Sequence, residues 1–215
     1  MNKKLMLRGG FVVLSVISLS ACLGTGGGTG IGGGGGVSST YQANLDRVQG
    51  LGPQTVRQTG TIDYEGKTRI ETSAPGSNGP NGFFVGDVAF AANFDNGTLS
   101  GTATNFAGEV DGKAVTVTGT LSSQNTTDPN IVVQNDIVVP VVGGTITQGS
   151  LIGSMRGTLT ESINNQSSTA QLTLTGTFLG TNAESAGGTS ALLLGDPNSV
   201  GFGIAGGGTF YADKK

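Results

Sequence analysis

Histidine and tryptophan are absent from this 215-residue chain, and cysteine occurs once, at position 22. Without histidine the chain cannot build a Ser-His-Asp or Cys-His nucleophilic site. A zinc site made of histidine and cysteine is excluded for the same reason. A single cysteine also has no partner for a disulfide bond within the chain. The commonest routes to nucleophilic and zinc-dependent catalysis are therefore closed.

Basic residues are scarce as well, with 11 Lys and Arg against 14 Asp and Glu. Three of the basic residues lie within positions 1–21, so the chain from residue 22 onward carries a net charge near −6. Such a chain offers no basic patch for phosphates, which argues against a nucleic-acid partner. No second long apolar segment follows the N-terminus, so no later segment is expected to cross a membrane as a helix.

Glycine is the most conspicuous residue present, at 40 positions, and it stands beside abundant Thr, Ser and Val. Threonine and valine fit a pleated strand, whereas strong helix formers in helical spacing are few. This balance predicts an all-β protein with many turns.

The N-terminus has the layout of a secretory signal. Three basic residues, Lys3, Lys4 and Arg8, precede an apolar run from Phe11 to Leu19. Leu19-Ser20-Ala21-Cys22 then resembles the lipobox of bacterial lipoproteins, in which cleavage precedes the cysteine and lipid is added to its sulfur and new N-terminus. The alternatives are an ordinary secretion signal that contains a cysteine and a short spanning helix, but the run is shorter than the roughly 20 residues a bilayer needs.

The residues after Cys22 indicate a tether and a destination. Glycine dominates from Leu23 to Gly36, and such a segment is expected to be a flexible coil. A phosphate-binding glycine loop would need a flanking strand and helix, which the pattern lacks. No Asp follows the cysteine, which by resemblance to enterobacterial sorting favours the outer membrane over the inner. We therefore predict a signal peptide over 1–21, a lipidated Cys22 with a tether over 22–40, variable strands and a loop over 41–81, and a β-barrel over 82–215.

Alternating residues predict the barrel. Val115–Leu121, Leu151–Leu159 and Leu172–Phe178 each place apolar residues and glycine on one face. Glycine on a packed face permits the bend that closure needs. The expected fold is a small antiparallel up-and-down β-barrel of about eight strands. Local predictions are a hairpin at Glu65-Gly66 joining 60–64 to 67–72, strands 83–94, 98–106 and 113–122 with turns at Asn96-Gly97 and Asp111-Gly112, a helical turn at 182–186 stopped by Gly187, and a last strand over 201–211.

One segment carries a family resemblance. The stretch 176–188 resembles a recurring segment of the transferrin-binding protein B-like barrel family. The matching positions are Gly176, Phe178, Gly180, Ala183, Glu184, Gly187 and Gly188. Leu179 and Thr181 depart from it, since the family favours Tyr and Pro there. The closing stretch 206–211 also looks like the family's last strand. The resemblance implies a surface lipoprotein that captures a partner protein, with iron- or haem-carrying proteins among the candidates, but no binding residue lies in the matched segment.

Few side chains suggest chemistry. Two carboxylate pairs, Asp63 with Glu65 and Glu109 with Asp111, are spaced to share a strand face and to perform acid–base work or bind calcium. Each lies beside an expected turn, where exposed acids are ordinary. Haem ligation would have to use Tyr41, Tyr64, Tyr211 or a methionine. We therefore expect no catalytic, cofactor or metal site.

Three functional hypotheses follow from the sequence. The first is a non-enzymatic, membrane-anchored barrel that binds an extracellular protein. The second is a periplasm-facing structural lipoprotein, and the third is a carrier that holds a small ligand inside the barrel. Large side chains filling the interior would count against the carrier.

Overall fold

The computed structural model describes residues 35–72, 82–139, 144–162, 165–195 and 203–215. Within these ranges the chain forms one α-helix, a short 3-10 turn at Ser123–Asn125 and ten strands. The elements are α1 Gly35–Gln49, β1 Thr61–Thr72, β2 Gly82–Asn93, β3 Thr98–Val110, β4 Lys113–Gly119, β5 Leu121–Ser122, β6 Ile131–Val139, β7 Gly144–Glu161, β8 Ser167–Leu179, β9 Ser185–Leu194 and β10 Gly203–Lys214. No helix among the described residues is long and apolar enough to span a membrane.

Eight strands close into a ring. Antiparallel pairing runs in the order β1, β2, β3, β4, β7, β8, β9 and β10, and β10 pairs back onto β1. Strands β5 and β6 pair with the same two neighbours as β4, so the three share one position in the ring. The predicted small antiparallel up-and-down β-barrel of about eight strands is confirmed.

Large side chains fill the barrel interior. Leu172, Leu174 and Phe178 on β8 are fully buried, as their alternation predicts. Aromatic rings close one end of the core: the ring of Tyr64 stacks on that of Phe90 at 5.1 Å between centroids, and Phe178 lies 5.5 Å from Tyr64 and 4.9 Å from Phe94. The core of the described residues is therefore packed with side chains from every side of the ring.

Glycine on the packed face allows neighbouring strands to approach closely. Gly176 on β8 faces Gly188 on β9. A Cβ atom on Gly188 would lie 2.2 Å from the carbonyl oxygen of Thr175 and 2.5 Å from the Cα of Gly176. Any larger residue would push the two strands apart, so these glycines are needed for the close approach of β8 and β9.

The hairpin predicted at Glu65-Gly66 is wrong. Strand β1 runs without interruption from Thr61 to Thr72 and pairs along its length with β2 and β10. Gly66 lies in mid-strand. Glycine is needed at this position because a Cβ there would come within 2.0 Å of the carbonyl oxygen of Tyr211. The glycine therefore serves a close strand contact and not a turn, and the barrel includes residues before position 82.

The helical turn predicted at 182–186 is also wrong. Ala183 has a φ of 55°, and strand β9 already begins at Ser185. The carboxylate of Glu184 accepts a hydrogen bond from the backbone N–H of Asn182 at 3.0 Å, which closes a tight turn. Gly187 pairs with Tyr211 inside the sheet and does not end a helix.

The two predicted hairpin turns are confirmed. Gly97 has a φ of 67°, and Asp111 and Gly112 have φ values of 50° and 74°. Strand β3 continues to Val110, beyond the predicted end, and the next predicted strand breaks after Gly119, whose φ is 123°. The last strand extends to Lys214, while residues 201 and 202 of the predicted strand lie outside the described residues.

Helix α1 replaces the end of the predicted tether and the first part of the 41–81 region, in which strands and a loop were expected, whereas β1 is a strand later in that region. It begins at Gly35, so residues 35–40 are helical. Tyr41, Leu45 and Val48, spaced one helical face apart, pack on Val85 and Tyr211 on the outside of the barrel. The Tyr41 hydroxyl donates to the carbonyl oxygen of Thr209 at 2.7 Å. This apolar stripe explains why a glycine-led segment is helical. The rest of the predicted tether and Cys22 lie outside the described residues.

Candidate protein-docking site

The paired carboxylates of β1 share a face as predicted. Asp63 and Glu65 both point outward and line an open groove of about 330 Å³. Alanine, serine and threonine side chains of β2 and β3 form much of the rest of that groove, and Lys215 pairs with Glu65 at its edge. Glu65 is paired with this lysine, and the other ionisable groups of the described wall are Asp63 and the buried Tyr64.

The second carboxylate pair does not share a strand. Glu109 belongs to β3, whereas Asp111 occupies the following turn. No group of three or more histidine, cysteine, aspartate or glutamate side chains lies close enough to hold a metal ion in the described part of the chain.

The candidate haem-ligating tyrosines are enclosed by protein. The Tyr64 hydroxyl donates to the carbonyl oxygen of Ala183 at 2.9 Å inside the barrel. The rings of Tyr41 and Tyr211 lie 5.3 Å apart beneath α1. Burial raises the pKa of Tyr41 to about 12 and that of Tyr64 further still, so both stay protonated at neutral pH. Met155 is buried in the core. None of the three tyrosine hydroxyls is therefore presented to a ligand as a phenolate.

The hairpin formed by β6 and β7 is the feature of the barrel that the sequence analysis missed. Strand β3 pairs with β6 only through Thr98 and Ile131. From Val133 to Val139, β6 pairs with β7 alone. At roughly 3.3 Å per residue, this unsupported length is about 20 Å. The hairpin therefore extends beyond the end of β3.

The outer face of this hairpin is apolar and exposed. Val133 and Ile137 are each 40% exposed, and Ile131 and Ile152, which face each other across the pair, are each 38% exposed. Asn135 and Gln148 form a polar step in the middle of this row. Exposed β-branched side chains gathered on one face, here on both sides of a polar step, are typical of a surface that contacts another molecule.

The free edge of β6 also exposes backbone groups. The N–H of Val132 donates to the carbonyl oxygen of Gly97 at 2.9 Å, which fixes the direction in which that residue points. Because backbone direction alternates along a strand, Gln134, Asp136 and Val138 point toward the same side. No described residue forms a backbone hydrogen bond to them there. The edge is open to a further strand.

A glutamine cluster holds the hairpin against the barrel. The chain from Pro53 to Gln58 crosses the end of β8, where the N–H of Gln54 donates to the carbonyl oxygen of Phe178 at 3.2 Å. The Gln134 side chain accepts from Gln54 Nε2 and from the N–H of Gln58, both at 2.8 Å, and donates to the carbonyl oxygen of Gln58 at 2.9 Å. Gln54 is fully buried. This cluster anchors the inner face of the hairpin.

A charged contact completes the support further along the strand. The Thr147 hydroxyl donates to Asp136 Oδ1 at 2.6 Å, and Arg57 Nη2 donates to Asp136 Oδ2 at 2.9 Å. These two bonds hold the pKa of Asp136 below its usual range, and the bond from the threonine hydroxyl is the larger cause. The hairpin is therefore held on its inner side at Gln134 and Asp136, whereas Val138 on the same side is 70% exposed, and no described residue pairs with the edge beyond Val132.

The sequence does contain a signal for this hairpin. Two β-branched runs, Ile131–Val133 and Ile137–Val139, flank the polar residues Gln134, Asn135 and Asp136. The runs do not alternate cleanly, because the hairpin has a polar contact on one face and an exposed apolar row on the other. Periodicity for a buried face consequently does not detect it.

No protein-family model matches the chain, and no curated protein matches it.

Proposed function

We propose that this protein is a non-enzymatic lipoprotein of the outer membrane whose barrel binds another protein through the β6–β7 hairpin. The observation that carries the proposal is the exposed apolar row of that hairpin, mounted on a packed barrel and held by polar contacts on its inner face. A fixed scaffold with an exposed apolar row lowers the ordering cost of association.

The anchoring half of the proposal rests on the N-terminal sequence. The basic, apolar and small residues before Cys22 support lipidation at that cysteine, and the glycine-rich segment after it supports a tether. The resemblance of residues 176–188 to the transferrin-binding protein B-like barrels supports capture of a partner protein, and iron- or haem-carrying proteins are the class it suggests. The packed interior counts against the small-ligand carrier.

Labelled palmitate fed to growing cells tests the anchor. We expect label in the native chain and none in the Cys22→Ala chain, which should leave the membrane fraction. Equal labelling of both chains would contradict lipidation at Cys22.

Site-specific photo-crosslinking on intact cells tests the docking role. A photo-reactive phenylalanine analogue replaces Val133 on the hairpin or, as the control, Thr118 on the exposed face of β4. We expect a discrete protein adduct from position 133 and none from position 118. Absence of any adduct at 133, or the same adducts at both positions, would contradict protein binding by the hairpin.

A further inference from the structure

The open edge of β6 restricts what can complete it. Backbone N–H and C=O groups that alternate along an extended strand are matched by another extended strand, which adds to the sheet. The described part of β6 carries no lysine at this edge, and its one charged residue, Asp136, is already bonded to Arg57 and Thr147. The usual barriers to edge pairing are weak here.

We propose that the strand that docks on this edge is β6 of a second copy, so that two barrels join through an antiparallel β6–β6 pair centred on Asn135. The inference rests on the proposed docking role of the hairpin and identifies its partner. A symmetric pair of this kind is isologous, because the same edge serves both copies.

Pairing centred on Asn135 places compatible side chains opposite each other on both faces of the joined sheet. On the outer face, Asn135 lies opposite Asn135 of the second copy, and Val133 lies opposite Ile137. On the inner face, Gln134 lies opposite Asp136, so an amide that can donate faces a carboxylate that can accept. Gln134 and Asp136 are two of the residues whose backbone groups point to the free edge. This arrangement forms four backbone hydrogen bonds across the two copies, by the alternation of antiparallel ladders.

The row of side chains that contains Asn135 continues from β6 onto β7 in each copy. Gln148 on β7 is paired with Asn135 on β6. Joining two copies at Asn135 therefore aligns four amide side chains, from Gln148 of one copy to Gln148 of the other. The flanking rows are mainly apolar, because Ile137 pairs with Ile146 within each hairpin. Amide ladders between apolar rows stabilise stacked and paired strands.

The neighbouring registers are less complementary. Centring the pair on Asp136 places two carboxylates directly opposite each other, which is unfavourable in an antiparallel pair. Centring it on Ile137 places the carboxylate of Asp136 opposite the apolar side chain of Val138. At the other end, the bond between the N–H of Val132 and the carbonyl oxygen of Gly97 closes the edge, so pairing starts at Val133. Asn135 is the centre that avoids both mismatches.

Disulfide trapping in the full-length chain in its own membrane tests the register. Opposed residues of a non-hydrogen-bonded pair have Cβ atoms about 4.5–5.5 Å apart, within reach of a disulfide after small adjustment. We expect Asn135→Cys to shift to twice the monomer mass on mild oxidation and to return on reduction. Gln148→Cys, exposed on the same face but one strand away, and the unsubstituted chain are the controls and should form no covalent dimer, so both should run at the monomer mass on a denaturing gel.

Each other outcome overturns a defined part of the inference. Crosslinking of Asp136→Cys or Ile137→Cys in place of Asn135→Cys would overturn the Asn135-centred register. No crosslinking at any of the three positions would overturn pairing with a second copy. If position 133 still gave a photo-adduct with a different protein, the docking role would stand while the self-pairing failed.

Sedimentation velocity on the purified chain provides a measurement that does not depend on cysteine. Asp136→Pro removes a backbone N–H at the open edge and leaves the backbone hydrogen bonds to β7 intact, whereas Asp136→Asn keeps the N–H and is the control for loss of the carboxylate. We expect the dimer mass for the native chain and the Asn variant, and the monomer mass for the Pro variant. A native chain that sediments as a monomer at every concentration, or a Pro variant that remains dimeric, would overturn the proposal.

Discussion

Removing the Gln134 side chain should loosen the hairpin by a predictable amount. Gln134→Ala deletes three hydrogen bonds of 2.8–2.9 Å, two to Gln58 and one to the buried Gln54. At about 1 kcal/mol each, the upper bound is about 3 kcal/mol. Water can replace the bonds to Gln58 near the surface, and Gln54 keeps its bond of 2.8 Å to the carbonyl oxygen of Val56. The expected loss in the free energy of unfolding is therefore about 1–2 kcal/mol.

Urea unfolding measures this loss directly. The three tyrosines provide the fluorescence signal, because the chain has no tryptophan and Tyr41 and Tyr64 are buried. Gln148→Ala makes the same chemical change on the exposed outer face of the hairpin and should shift the free energy by less than about 0.5 kcal/mol. The urea dependence of both variants should stay native, as expected when only stability changes. Equal effects of the two substitutions would refute the structural role of the glutamine cluster.

Three further predictions concern the barrel as a whole. Gly188→Ala should destabilise the fold by about 1–3 kcal/mol because the new Cβ would lie 2.2 Å from a carbonyl oxygen. Gly207→Ala, which places its Cβ in open space, should be nearly neutral. Equal melting temperatures of the two variants would contradict the close strand approach. The lowered pKa values of Asp128 and Asp136 contribute stability that is complete above pH of about 4 and is lost as the pH falls through the folded-state pKa values. The urea midpoint of unfolding should therefore drop on acidification. A urea midpoint that stays constant down to about pH 2 would disagree. Burial raises the pKa of Tyr41 to about 12, so the contribution of this tyrosine to folding stability is complete below pH of about 10 and is lost as the pH rises toward about 12. Phenolate absorbance that appears in the folded chain with the ordinary midpoint near 10 would disagree.

The barrel could be predicted because its cause is local and repeated. Leu172, Leu174 and Phe178 alternate with threonines, and this period directly specifies one packed face. Glycine on that face indicated closure, and Gly188 shows the close approach that closure requires.

The wrong predictions arose where one residue type serves two purposes. Gly66 follows an acidic residue as in a turn, but its lack of a Cβ serves a contact with Tyr211 on a strand about 145 residues later in the chain. Helix α1 was missed because its stripe of Tyr41, Leu45 and Val48 is meaningful only once the barrel wall exists to receive it. Local sequence cannot separate a turn glycine from a packing glycine, nor show a docking partner distant in the chain.

The candidate docking site was harder to predict for a related reason. The carboxylates Asp63 and Glu65 were placed correctly on one face, where they line a groove together with Lys215. The hairpin of β6 and β7 depends on contacts with the segment 53–58, about 80 residues earlier. The polar side chains that make the hairpin sequence look irregular are the ones that form these contacts.

Protease shaving of intact cells tests most directly whether the barrel is displayed for an extracellular partner. An antibody to the barrel should lose its signal after brief protease treatment while a periplasmic control protein stays intact, and the Cys22→Ala chain should show no such cell-bound, protease-sensitive pool. A barrel that stays protected until the outer membrane is broken would contradict the surface-binding account and favour a periplasm-facing structural role.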